Sequence, residues 1–328
     1  MKILVTGASG FLGGWVLSAL SDKFGKECVT GTGRNLVRCD ELKEIGHTIC
    51  IGDLTDRNFV SNKLQNFTHI IHCAAKSSLW GSYNSFYRDN VLSTKNLLEG
   101  IPSIQKFVYI SSPSIYFNYC DRFQIREDEE LPEKFVNYYA ATKYLGEQEV
   151  MNFPKETMSR IIIRPRAIVG AGDTVIVPRV IRAFEAGKLR IIGDGKNICD
   201  FSSVKNIAHA VYLSIIGGPE IDRKIFNITD GSPKPMWELI ENTLVKLGYH
   251  PRLKPVNYRL VFAIASISEL INKLLRGREP VLTRYGVAVL RYSITLDISE
   301  AKKYLKYEPV ISTDESIDEF VKSFRNGK

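Results

Sequence analysis

Thr6-Gly7-Ala8-Ser9-Gly10-Phe11-Leu12-Gly13 is the stretch on which the fold reading turns. It follows the apolar run Ile3-Leu4-Val5 and opens a helical pattern from Phe11 to about Phe24, so three glycines stand at a strand-to-helix turn. Each has a physical task there. Gly7 permits the tight turn, Gly10 lets backbone N–H groups approach a pyrophosphate, and Gly13 allows close packing of a helix whose N-terminus favours negative charge. The turn predicts a dinucleotide site that also includes Ser9, Phe11 and Leu12; the plainer alternative is an ordinary tight turn.

Outward from this turn, short β-rich runs alternate with longer helical patterns. Strands are predicted near Ile3–Val5, Cys28–Gly31, Thr48–Ile51, Ile70–Cys73, Phe107–Ile110 and Ile161–Ile163, and further helices over Tyr83–Glu99 and Val136 to about Met151. That alternation predicts an α/β fold, a Rossmann-type doubly wound parallel sheet. After Gly170 the chain breaks into Gly/Pro-punctuated pieces, which suits a smaller C-terminal substrate-binding lobe. The expected division gives 1–169 to the dinucleotide-binding domain with 198–216 returning to it, and 170–197 with 217–328 to the substrate-binding lobe.

The 328 residues are 44% hydrophobic, enough for a large core, and carry a net charge of +8 that tolerates anionic partners. Basic residues are dispersed, with no run of five, so nucleic acid is not expected as a partner. The six cysteines form no CxxC pair and show no zinc-finger spacing, so no metal is expected. Cys28, Cys50 and Cys73 lie in apolar runs, where a free thiol acts as a small hydrophobe in a reducing compartment. MKILVTGASG lacks a basic leader with a long apolar core, and no segment holds the roughly 20 apolar residues of a membrane span. A cytoplasmic location is the resulting expectation.

In Asn137-Tyr138-Tyr139-Ala140-Ala141-Thr142-Lys143, Tyr139 and Lys143 are four apart on a helical pattern and share one face. A phenol with a pKa near 10 takes a proton at neutral pH only if positive charge stabilises its anion, which makes Tyr139 the candidate acid/base and Lys143 its partner. An amphipathic surface pair is the alternative. Upstream, Lys106-Phe107-Val108-Tyr109-Ile110 runs into Ser111-Ser112-Pro113-Ser114, and a hydroxyl at the C-terminal end of a strand faces the crevice where α/β folds place ligands. Ser111 reads as satisfying turn backbone. After the second strand stands Arg34, which cannot accept from a ribose 2′-hydroxyl but whose planar fork suits a 2′-phosphate. This favours NADP(H), with NAD(H) as the alternative.

The TGxxGxxG turn and the YxxxK pair together resemble the short-chain dehydrogenase/reductase superfamily, and the likeness to its extended branch runs over almost the whole chain. The resemblance implies that Ser112 polarises the reacting oxygen, Ser114 touches substrate, and Asn90 anchors a proton-relay water near Lys143. It implies cofactor contacts at Asp53 and Leu54, at Ala74, Ala75 and Lys76, at Tyr139 and Lys143, and at Pro165 and Ala167 of the Arg164-Pro165-Arg166-Ala167 loop, with Arg166 on the substrate. Asp53 also reads as a helix cap for the stretch from Asp56.

Two groups of extended members compete. Nucleotide-sugar epimerases and dehydratases carry a diphosphate-binding Arg in a segment that here reads Asn197-Ile198-Cys199-Asp200-Phe201, without it. By contrast Gly193–Ala210, the Ala75–Gly81 loop and Pro280–Tyr285 are similar to the 3β-hydroxysteroid dehydrogenase branch. That likeness implies hydride transfer between nicotinamide and a bulky apolar secondary alcohol or ketone, sterol-like or β-keto acyl, with Trp80 and Tyr116 near the substrate. A nucleotide-sugar epimerase or dehydratase and a non-catalytic NADP-binding protein are the rival readings. Finally, apolar residues at 260, 264, 267, 271 and 274, followed by Arg276, Arg278 and Arg284, mark one wide hydrophobic helical face. It reads as a peripheral membrane contact through 260–278, as a helix packed over the active site, or as a homodimer contact.

Overall fold

Side chains along a strand alternate between the faces of its sheet, and here both faces are apolar. The computed structural model describes residues 1–275, 280 and 282–326. Its main sheet has seven parallel strands: β1 Ile3–Thr6, β2 Val29–Gly33, β3 Thr48–Ile51, β4 His69–His72, β5 Lys106–Ile110, β6 Ser159–Pro165 and β7 Lys224–Ile228. Ile3, Val5, Ile71, Val108, Ile161 and Ile163 are buried with Val16, Leu17 and Leu20 of α1 (Phe11–Phe24) and with Ile207 and Val211 of a late helix. Leu4, Ile70, Phe107 and Ile162 are buried with Leu97, Leu98 and Val150 on the other side. Such double coverage is why these strands read as nearly continuous apolar runs.

Across the sheet the order is β7-β6-β5-β4-β1-β2-β3. It reverses between β1 and β4, and a ligand crevice opens at the C-terminal strand ends where the order turns. Three further helices matter for that crevice. The second, α2, runs Tyr83–Tyr87 and Ser93–Gly100 with a π-helical turn, Arg88–Leu92, between them. The third, α3, is Tyr138–Met151, and the fourth, α4, is Val204–Ile216, which lies against α1.

The chain crosses between lobes more often than its sequence suggests. Lys224–Ile228, assigned above to the smaller lobe, is instead the edge strand β7, in parallel register with Ile161–Pro165. The preceding helix α4 supplies the crossover that a parallel return requires. Conversely, Arg122–Ile125 and Ile198–Cys199 leave the large sheet and join Ile294–Leu296 and Lys234–Pro235 in a four-stranded sheet of the smaller lobe. Among the described residues, no helix is long and apolar enough to cross a membrane.

Candidate active site

The glycine turn is shaped by close approach. Gly7 has φ +68°, and a Cβ there would stand 2.8 Å from the Cα and N atoms of Ala74; one on Gly13 would stand 2.1 Å from the Gly7 carbonyl oxygen. No larger residue fits either place. Gly10 caps α1 without a side chain to accept from the first amides, which leaves them free to meet an anion.

The turn is one wall of a cleft of about 900 Å³. Gly7, Ser9, Gly10, Phe11, Leu12 and Gly13 line it, with Arg34 after β2 and Asp53 and Leu54 after β3. Ala74 and Ala75 after β4, Ser112 after β5, Tyr139 and Lys143 on α3, Pro165 at the end of β6 and Ala167 beyond it also line it. A backbone cradle with room for no Cβ, open toward a hydroxyl, a phenol and an amine, fits a dinucleotide laid across the strand ends.

Asn137 fixes the start of α3, its side-chain oxygen accepting from the Ala140 N–H at 2.8 Å. Tyr139 therefore lies in the first turn and Lys143 one turn further, buried. The Lys143 ammonium donates to the Ile110 carbonyl at 2.6 Å and lies 3.9 Å from the centre of the Tyr109 ring. Burial pushes it down to about 7, against the pull of Glu147. The Tyr139 phenol is raised above its ordinary value by burial, with hydrogen bonding from Ser112 pulling the other way. The expected lowering of the phenol by Lys143 is thus not the arrangement found, because the ammonium is engaged on a carbonyl of the neighbouring strand.

Ser112 accepts from the Ser114 N–H at 3.2 Å and donates to the Ser114 hydroxyl at 3.0 Å. Ser114 is buried and does not line the cleft, so the structure gives it a place behind Ser112 and not against a ligand. Asn90 is fully buried in the π turn of α2. Its side chain accepts from the Lys76 N–H at 2.7 Å and donates to the Thr142 hydroxyl at 3.0 Å, which ties the loop after β4 to the helix carrying Tyr139 and Lys143. Lys76 is outside the cleft, its ammonium 5.2 Å from the centre of the Phe86 ring.

Tyr116 departs most from expectation. It is completely buried, with its hydroxyl accepting from Arg164 and donating to Asn227 at 3.2 Å, and it does not line the cleft. Its neighbour Arg164 is neutralised by Glu147 at 2.6 Å. Arg166 is buried beside Cys199. Arg34 pairs with Asp53 at 3.1 Å and Asp89 at 3.5 Å. Asp53 also accepts from the Thr55 N–H, while the helix cap falls to Asp56, which accepts from Asn58 and Phe59.

Sequence reading missed several cleft residues, Ser111 and Asp89 among them. Ser111 reads as satisfying turn backbone, yet its hydroxyl is buried without a partner and the residue lines the cleft. Asp89 also lines it; the only available signal was its position beside Asn90.

A second cavity, of about 1200 Å³, lies on the other side of the first turn of α3, where Tyr138 and Ala141 line it. Trp80, with Leu79, Phe86, Tyr119, Phe135 and Leu270, makes much of its wall apolar; Lys134, Lys273 and an Arg284–Glu269 ion pair at 2.7 Å add charge.

Residues 3–229 match the description "NAD dependent epimerase/dehydratase family". The chain belongs to that family. It is 32% identical over 326 residues to the 2-alkyl-3-oxoalkanoate reductase of Stenotrophomonas maltophilia, covering 97% of each chain. It is 28% identical over 337 residues to the decarboxylating sterol-4-alpha-carboxylate 3-dehydrogenase of Mus musculus, covering 99% of this chain and 91% of that one. Within the family it is therefore an extended short-chain dehydrogenase/reductase on the 3β-hydroxysteroid dehydrogenase-like branch, an NAD(P)-dependent oxidoreductase. The UDP-glucose 4-epimerase of Thermotoga maritima superposes with a TM-score of 0.77 at 22% identity, covering 100% of this chain and 99% of that one, a likeness of fold.

Proposed function

We propose that this member of the family interconverts the ketone and the secondary alcohol of an apolar, acyl- or sterol-like acid bearing its oxygen next but one to the carboxyl carbon, with NADP(H). The observation that carries the reading is the meeting of Ser112, Tyr139 and Lys143 in one cleft beside a large cavity with apolar walls. The names of two relatives, a 3-oxoalkanoate reductase and a sterol-4-carboxylate 3-dehydrogenase, agree on that substrate pattern. When bound, the nicotinamide supplies or accepts the hydride. Ser112 donates to the substrate oxygen, Tyr139 gives or takes its proton, and Lys143 would hold the nicotinamide ribose. Arg34 supports the 2′-phosphate: it lines the cleft past β2, and its ion pair with Asp53 is solvent-exposed, hence cheap to exchange for a phosphate.

The test is turnover of purified protein with NADPH and NADH, followed by cofactor absorbance, on a 2-alkyl-3-oxoalkanoate and on UDP-glucose. Reduction of the oxo acid, faster with NADPH, is expected. Epimerisation of UDP-glucose without net cofactor oxidation refutes the reading.

A lipid surface is the proposed partner of the helix α5, Tyr258–Leu274. The apolar stripe at 260, 264, 267, 271 and 274 points outward, half-exposed or more, while Tyr258, Val261, Phe262 and Ala265 pack inward. Arg259 and Lys273 flank the stripe, and Leu270, exposed beside it, also lines the cavity. Arg276 and Arg278 lie outside the described residues. An exposed apolar face edged by cations suits anionic bilayers, whereas a second copy would bring like charges together. Co-sedimentation with phosphatidylserine vesicles, lost in Ile267→Glu, is expected; a dimer dispersed by that substitution, with no vesicle binding, refutes it.

A further inference from the structure

His72 ends β4 just before the cleft residues Cys73, Ala74 and Ala75, and it is fully buried with both ring nitrogens engaged. Nδ1 is 2.7 Å from the Thr6 hydroxyl and Nε2 is 3.0 Å from the Thr94 hydroxyl. The far partners of those hydroxyls decide where the protons lie. Thr94 Oγ is 2.7 Å from the Asn90 carbonyl oxygen, which can only accept, so the Thr94 proton points there and its oxygen accepts from His72 Nε2–H. A neutral imidazole then has a bare Nδ1, to which the Thr6 hydroxyl donates, and the Thr6 oxygen accepts in turn from the Ala74 N–H at 3.1 Å. The surroundings favour that neutral form. Burial and, behind it, the charge of Lys143 push the ring down to about 3, and the rings of Phe107 and Tyr109 pack at 5.9 and 5.6 Å.

A directional chain of hydrogen bonds thus runs through Thr6, His72 and Thr94, from the Ala74 N–H at one end to the Asn90 carbonyl at the other. Both ends meet the active site. At the first, Gly7 packs so tightly on Ala74 that a Cβ would stand 2.8 Å from the Ala74 N and Cα atoms, so the Ala74 peptide sets the depth of the glycine turn. At the second, Asn90 lies in the π turn of α2, a kind of turn that is rare in helices and concentrates at functional sites. The Asn90 side chain holds the Lys76 N–H and the Thr142 hydroxyl, whose own proton goes back to the Tyr138 carbonyl in the first turn of α3. We infer that His72 is a positioning residue that keeps the cofactor-holding turn in register with the helix that carries Tyr139 and Lys143. The inference rests on the proposed function for what that register serves, the approach of nicotinamide and phenol to one carbon–oxygen bond. With both nitrogens occupied, the ring itself exchanges no proton with substrate. An apolar side chain of similar size would leave the two threonine hydroxyls without their shared partner in a site closed to water.

The experiment compares His72→Leu, which fills the space without polar atoms, with His72→Gln, whose amide can accept from Thr6 and donate to Thr94. In His72→Leu, kcat for a 2-alkyl-3-oxoalkanoate is expected to fall about 10–100-fold while the substrate KM changes by less than about threefold, and NADPH affinity is expected to fall about tenfold. His72→Gln is expected to restore most of both. A His72→Leu protein that melts earlier but keeps its kcat and its NADPH affinity assigns His72 to stability alone and overturns the inference. Should His72→Leu not fold, Thr94→Val against Thr94→Ser puts the same question at the next link, because only serine keeps the hydroxyl; equal kcat and equal NADPH affinity in those two overturn it as well. In the wild type, NMR of the imidazole nitrogens is expected to show the His72 proton on Nε2 throughout the acid range in which an ordinary histidine becomes charged. A proton on Nδ1 breaks the chain and overturns the inference with no variant. A protein with the Nε2 proton, whose NADPH affinity falls in His72→Leu and returns in His72→Gln but which reduces no oxo acid, leaves His72 its place and sinks the proposed reaction instead.

Discussion

Replacing Lys143 by Met separates stability from catalysis. Burial lowers the ammonium from an ordinary 10.5 to about 7. At about 1.36 kcal/mol per pH unit, holding that charge in the fold costs about 4 kcal/mol at neutral pH. Met fills similar space without charge, but its loss of the Nζ donor leaves the Ile110 carbonyl short of one partner, worth about 1–3 kcal/mol. The variant is therefore expected to be more stable by about 2 kcal/mol, which raises Tm by about 3 °C in a chain of this size. The sign with pH follows from the lowered pKa. Between 7 and 10.5 the unfolded chain binds more protons at this lysine than the folded one, so the wild type gains stability across that window and the variant's advantage fades. Turnover is expected to fall about 100-fold or more, since the amine that would hold the nicotinamide ribose is gone. Thermal unfolding of both proteins by circular dichroism at a series of pH values, with turnover measured alongside, checks all three. A variant less stable than the wild type, by a margin that does not change with pH, refutes the account of Lys143 as a costly buried cation.

Tyr139→Phe is expected to bind cofactor normally, as titrated by fluorescence, and to lose turnover by about 10²–10⁴-fold, because it removes the exchangeable proton. Ser112→Ala, which deletes the donor to the substrate oxygen, is expected to lower kcat by about 10²–10³-fold; a change below threefold in steady-state kinetics counts against its role. In Gly7→Ala the left-handed φ of +68° and the 2.8 Å contact with the Ala74 backbone must both be relieved, so the stabilisation that cofactor gives in a thermal shift is expected to disappear. Arg34→Ala is expected to weaken NADPH about tenfold in kcat/KM relative to NADH; an unchanged ratio assigns Arg34 to its ion pairs with Asp53 and Asp89 alone.

What was legible in the sequence is what short-range spacing encodes. The turn at Gly7, Gly10 and Gly13 pointed to its fold because the backbone of β1 must enter a helix within a few residues, and Tyr139 and Lys143 could be paired because one helical turn separates them. The strand ending put hydroxyls at the crevice, and the resemblance to the family singled out Ser112 among them. Tyr116 was misplaced for the converse reason: an aromatic two positions past the Ser112–Ser114 turn reads the same whether it faces a ligand or Arg164, and only the third dimension brings Asn227 and Glu147 to that side. The strand Lys224–Ile228 was hidden likewise, since its partner Ile161–Pro165 lies some sixty residues back, across an excursion into the other lobe.

The helix Tyr258–Leu274 shows where periodicity stops short. Its 3.6-residue apolar rhythm established a helix with one hydrophobic face, and three readings of that face were equally consistent with the rhythm. A period fixes which residues share a side and carries nothing about what covers it. Here the inward side is held by Tyr258, Val261, Phe262 and Ala265, a second apolar set offset around the same helix, and that leaves the stripe at 260, 264, 267, 271 and 274 exposed. The same reasoning separates Arg166 from Arg160 and Arg164: three arginines within seven residues are indistinguishable as letters. Counting the acceptors each one reaches separates them: Arg160 and Arg164 are engaged on carbonyls and on a carboxylate, while among the described residues the Nε of Arg166 has no hydrogen-bond partner.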